Sequence, residues 1–110
     1  MILKNTSRNS ILSLDLKEAK SLVDKSLGLL LKNNPRSMLF RTRFGIHTFF
    51  LKNSIDVVIL DKNHKVIAAK TVQPNRIFLY NPIHSIVLEL PEGVIKSSKT
   101  KIGDKLKLQA

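Results

Sequence analysis

With 110 residues, no cysteine and 19 Lys and Arg against 8 Asp and Glu, the chain is the size of one domain and carries a formal charge of +11. These figures exclude disulfides, thiolate metal sites and a cysteine nucleophile, and no run of about 18 apolar residues is present to predict a membrane-crossing helix. Lys outnumbers Arg, which makes a diffuse positive field rather than a set of bidentate clamps, so an acidic partner or nucleic acid suits the charge, and so does plain solubility.

Residues 1–9 read as a polar N-terminal arm ahead of a single domain over 10–110. The start lacks the continuous apolar core of a secretory signal, so the expected location is cytoplasmic, without membrane insertion. Ile11, Leu12, Leu14 and Leu16 predict a strand ending near Leu16, although Asp15 followed by Glu18 also fits a capping box that would open a helix there. Leu22, Val23, Ser26, Leu27 and Leu30 recur at helical spacing and predict a helix over about Ser21 to Leu30. Gly28 then marks close packing or an early end, and Asn33-Asn34-Pro35-Arg36-Ser37 breaks the helix.

Met38-Leu39-Phe40 is a short apolar strand. The stretch Phe44 to Leu60 follows, two runs rich in Phe, Val and Ile on either side of Lys52-Asn53-Ser54, and both runs are apolar on both faces as core strands are. Asp61-Lys62-Asn63-His64 turns the chain into Lys65-Val66-Ile67-Ala68-Ala69, with His64 at a position of positive φ. Ile77 to Tyr80 and Ser85 to Leu90 read as strands separated by Asn81-Pro82, and Val94 to Ser98 as one helical turn. Ile102-Gly103-Asp104 turns into Lys105-Leu106-Lys107-Leu108, whose strict alternation predicts an edge strand protected by its lysines. The fold class expected is mainly β (α+β): a small barrel-like or strongly bent, mostly antiparallel sheet with one main short helix near the N-terminus.

Several of these stretches also fall in the order of a known family. Gly28-Leu29-Leu30, Met38-Leu39-Phe40, His47 to Asn53, Asp56 before an apolar run, Asp61 with its hairpin, Leu88-Glu89-Leu90 with Gly93, and Ile102-Gly103-Asp104 together resemble the domain of unknown function 192, also called uncharacterised protein family 0127. The resemblance covers about Ser21 to Leu108 and implies a compact β-rich domain with little helix and no established reaction. The chain departs from the family pattern at Ser37, where Gly is usual, at Phe50, where Trp is usual, and at Ser54-Ile55-Asp56, which shortens the usual connection and omits its Pro.

Polar residues inside the apolar zone are the candidates for a ligand site: His47, Lys52, Asn53 and Asp56, with Glu89 as a further member. Each also has a plain structural reading: a packed histidine for His47, turn chemistry for Asn53 and Asp56, and a cross-sheet ion pair for Glu89. A second set, Arg76, Tyr80, Lys96, Lys99, Lys101, Lys105 and Lys107, would bind nucleic acid without sequence preference. No Gly-rich phosphate loop, His-Glu-x-x-His pattern or nucleophile elbow occurs, and the sequence calls for no cofactor and no metal. The leading expectation is therefore a small basic β-rich binding or interaction domain. Its alternatives are the nucleic-acid binder and a metabolite binder or small enzyme with a polar cleft near Asn53 and Asp56. The lysines of the last strand argue mildly for a monomer.

Overall fold

An apolar run such as Ile55–Leu60 has no face to give to water, and all of it is buried, at the interior of the largest sheet. A computed structural model describes residues 1–19, 37–43, 45–48 and 52–110. The expected helix over Ser21 to Leu30, the breaker after it up to Arg36, and the apolar residues Phe44 and Phe49 to Leu51 lie outside the described residues. The strands in chain order are β1 (Ile2–Asn5), β2 (Ser10–Ser13), β3 (Lys17–Glu18), β4 (Met38–Arg41), β5 (Ile46–His47), β6 (Ile55–Leu60), β7 (Val66–Val72), β8 (Ile77–Phe78), β9 (Ile86–Pro91) and β10 (Leu106–Gln109). A short helix, α1 (Val94–Ser98), falls between the last two.

These form a five-stranded sheet in the order β3-β4-β9-β6-β7, a three-stranded sheet β10-β1-β2 and a two-stranded sheet β5-β8. Among the described residues the β3–β4 pair alone is parallel. Alternation along β6 and β9 divides the core in two. Val58, Leu60, Leu88 and Leu90 pack with Leu3, Leu12 and Leu106 of the three-stranded sheet. Val57, Ile59 and Val87 pack with Phe40, Met38 and Val72, and with the rings of Phe78 and Tyr80 from the β8 region.

The chain is mainly β, as expected, but among the described residues the ladders do not close into a barrel. Where β10 approaches β7 the contact is a single bridge, Lys65 to Lys105, supported by Leu106 N–H donating to the His64 carbonyl and Val66 N–H to the Asp104 carbonyl. Among the described residues the helix is α1, near the C-terminal end, where one helical turn was predicted.

Two expectations need correction. Residues 1–9 are not simply a polar arm: β1 is the middle strand of its sheet, with Leu3 and Asn5 fully buried. One inward leucine beside one inward asparagine leaves no apolar periodicity to read. The first run of the central stretch, where it is described, is not a core strand either: Ile46 is half-buried and His47 is exposed. Its described part, β5, pairs with β8, and β6 is flanked by β7 and β9. Gly45 permits that pairing: its φ is +85°, and a Cβ there would stand 2.8 Å from both Leu79 Cδ2 and the Phe78 carbonyl oxygen.

The β6–β7 hairpin forms as predicted, and His64 has φ 62°. The Asp61 carboxylate accepts the backbone N–H of Asn63 at 2.8 Å and of Lys65 at 2.9 Å. The Lys65 N–H contributes most to holding the Asp61 carboxyl below its usual value. Strand β10 ends its sheet, with Lys105 beside it and Lys107 within it both exposed, in keeping with the alternation of Lys105 to Leu108.

Candidate functional site

The two carboxylates of the expected site, Asp56 and Glu89, are divided by the sheet. In the β6–β9 register Asp56 faces Leu90 and Val57 faces Glu89, so the two carboxylates leave opposite faces of the sheet. Asp56, 1 % exposed, accepts Thr71 Oγ1 at 2.7 Å through one oxygen, and through the other the N–H groups of Gly93 at 3.1 Å and Ile95 at 2.8 Å. It thereby ties β7 and the start of α1 to β6. Glu89 is buried on the other face, in line with Met38 and Val57 on the neighbouring strands. His47 is exposed on β5 rather than packed, and Lys52 and Asn53 are exposed on the bend before β6.

Tyr80 lies on the Glu89 side. Its hydroxyl donates to the Thr42 carbonyl, and its ring packs near that of Phe78 with centroids 6.3 Å apart. Burial pushes the Tyr80 hydroxyl above its ordinary value, and the charge of Glu89 adds to this against the opposing hydrogen bonds with Thr42 and Gly45. Both rings are packed against the core, so they do not form the open platform that stacking of bases requires. Arg76 is exposed just before β8, which belongs to a different sheet from β10.

A buried polar cluster joins the two ends of the chain. Asp104 Oδ2 accepts Asn5 Nδ2 at 3.0 Å, Arg8 Nε at 3.1 Å and the Lys101 N–H at 2.9 Å. Asn5 Nδ2 also donates to Thr100 Oγ1, and the Asn5 carbonyl oxygen of the side chain accepts the Arg8 N–H. Thr100 Oγ1 lies 2.7 Å from Ser98 Oγ, which donates to the Val94 carbonyl of α1. Burial alone would raise the Asp104 carboxyl; the hydrogen bonds from Asn5, Arg8 and Lys101 and the Arg8 charge outweigh it, so the net shift is downward. Gly103-Asp104 signals this turn in the sequence, but nothing there signals Asn5 as its partner.

The lysines come together through strand pairing. Lys4 on β1 faces Lys107 on β10, and Lys65 before β7 faces Lys105 beside β10. On β1 and β10 the inward positions are Leu3, Asn5 and Leu106, so Lys4, Lys105 and Lys107 project from the outer face. Lys96, Lys99 and Lys101 are exposed on α1 and the turn that follows. Among the described residues the ion pairs are Arg8 with Asp104 and Arg41 with Glu18, and neither engages a lysine of this face.

The family model DUF192, described as Uncharacterized ACR, COG1430, matches residues 3–108. The chain belongs to DUF192. A UPF0127 protein of Pyrococcus horikoshii is 33 % identical over 109 residues, covering 94 % of this chain and 95 % of its own. A second UPF0127 protein, from Pyrococcus abyssi, is 34 % identical over 94 residues, covering 80 % of each chain. A solved structure of a protein of unknown function from Novosphingobium aromaticivorans DSM 12444 superposes with a TM-score of 0.71 at 14 % identity, over 97 % of this chain and 82 % of that one. That likeness is one of fold. The DUF192 match begins within β1, so it takes in the buried Leu3 and Asn5 as well as the stretch whose motifs resembled the family. Among the described residues of this DUF192 chain, no helix is long and apolar enough to cross a membrane, and no group of three or more His, Asp or Glu is placed to hold a metal ion.

Proposed function

We propose that this DUF192 chain is a binding domain that engages an anionic partner through the face carrying Lys4, Lys65, Lys105 and Lys107. The observation that supports this reading is the pair of like-charge cross-strand contacts, Lys4 opposite Lys107 and Lys65 opposite Lys105. Like charges directly opposite each other destabilise a sheet, and an anion lying over them relieves that repulsion. Lys96, Lys99 and Lys101 widen the positive field. We leave Arg76 and Tyr80 out of the set, the first because it leads into β8 of the separate two-stranded sheet and the second because its hydroxyl and ring are engaged. The metabolite reading around Asp56 loses support because the Asp56 oxygens hold Thr71, Gly93 and Ile95.

The test is binding of fluorescent heparin across a salt series. Lys4→Gln with Lys107→Gln should reduce the slope of log affinity against log salt by roughly two, one ion released per lysine lost. Lys17→Gln with Lys62→Gln removes the same charge from exposed positions elsewhere and should leave the slope nearly unchanged. Equal effects of the two pairs would mean that net charge alone acts and that the β10 lysines serve to guard a sheet edge.

A further inference from the structure

Isoleucine is exposed alongside these lysines, on the strand face itself at Ile11 and in the turn that leads into β10 at Ile102. Ile11 on β2 stands directly opposite Lys4 and is 54 % exposed. Ile102 is 71 % exposed in the turn between Lys101 and Lys105. We infer that the anionic partner is the surface of a lipid bilayer, on which this face lies with its lysines at the headgroups and Ile11 and Ile102 in the interfacial layer. The inference rests on the anionic-partner reading and adds the identity of the partner.

Three observations favour a bilayer over a nucleic acid. A hydrated phosphate backbone gains nothing from two exposed isoleucines, whereas the bilayer interface buries them, and durable peripheral attachment takes an apolar signal together with a basic one. The aromatic rings that could stack on bases, Phe78 and Tyr80, are packed against the core. The basic groups are lysines, point charges suited to headgroup phosphates and carboxylates rather than to bidentate reading of base edges. The turn is also held in shape. Asp104 accepts the Lys101 N–H through its side chain and donates its own N–H to the Lys101 carbonyl, while Gly103 N–H donates to Val66. Ile102 is therefore presented without an ordering cost at contact.

The experiment is co-sedimentation with phosphatidylcholine vesicles containing about 30 mol % phosphatidylserine, against phosphatidylcholine alone. The same protein is titrated in parallel with heparin and with single- and double-stranded oligonucleotides. The wild-type chain should bind the anionic vesicles only, and Ile11→Ser with Ile102→Ser should weaken that binding about tenfold or more while heparin affinity stays within twofold. Both isoleucines are exposed, so circular dichroism should show the variant folded; each single variant should give a smaller loss in the same direction. Heparin binding without vesicle binding, or vesicle binding that the serine variants leave unchanged, overturns the lipid assignment while the anionic-partner reading stands. Tighter binding to oligonucleotides than to vesicles, insensitive to the serine changes, overturns it in favour of nucleic acid. Failure to hold heparin, oligonucleotides and vesicles alike removes the anionic-partner reading itself.

Discussion

Asp104→Ala should lower the unfolding free energy by about 3 kcal/mol at neutral pH, because it takes one of two acceptors from the buried Asn5 amide, takes the acceptor of the Lys101 N–H and leaves Arg8 without its carboxylate. Arg8 is partly exposed, so the larger share comes from the Asn5 and Lys101 donors, above all the buried Asn5 amide, rather than from the ion pair. The effect carries a pH signature. The folded carboxyl titrates below its ordinary value of 3.8, so its contribution is fully present above the unfolded-state value and is lost as pH falls through the lower folded one. Urea denaturation of wild type and variant should therefore show a constant gap from neutral pH down to about pH 5 and a shrinking gap below about pH 4. A gap that is equally wide at the acid end, or smaller than about 1 kcal/mol at neutral pH, would contradict this account of Asp104.

Asp56→Ala should cost a similar amount, about 3 kcal/mol, since it removes the acceptor of three hydrogen bonds at a position that is 1 % exposed. The loss should be local in its onset. The Gly93 and Ile95 amides should exchange with solvent much faster in the variant, and Asp56→Asn, which keeps an oxygen to accept with, should recover part of the stability. Thermal melting combined with amide exchange checks this. An unchanged melting temperature with normal protection at Gly93 and Ile95 would return Asp56 to the list of ligand-binding candidates and remove its anchoring role.

The parts of the fold visible in the sequence were those written in local chemistry. Asp61 to His64 signals a hairpin because its side-chain and φ preferences are satisfied within the turn itself, and the lysines of Lys105 to Leu108 announce an edge by alternation. What could not be read depends on which strands become neighbours. Asp56 and Glu89 both sit in apolar strands, and only the register of β6 against β9 sends them to opposite faces. His47 lies in an apolar run, yet its pairing through β5 to β8 leaves it exposed. Asn5 has no apolar pattern around it, and its burial follows from a partner at the far end of the chain. The same holds for the lysine face, because Lys4 and Lys107 meet only when the first and last strands pair.

That last pairing bears on the order in which the molecule assembles. Ile2 lies across from Gln109, so the two ends emerge side by side, and β1–β10 is the ladder that closes the longest possible loop of chain. Its formation bears the greatest closure entropy of any contact in the domain, whereas the β6–β7 hairpin bears almost none. A circular permutant that links Ala110 to Met1 through a short flexible linker and opens between Pro82 and Ile83, which are exposed, turns this ladder into a hairpin. Stopped-flow refolding of the permutant should be severalfold faster than that of the natural order, with unfolding little changed. Equal refolding rates would place the end-to-end ladder after the rate-limiting step.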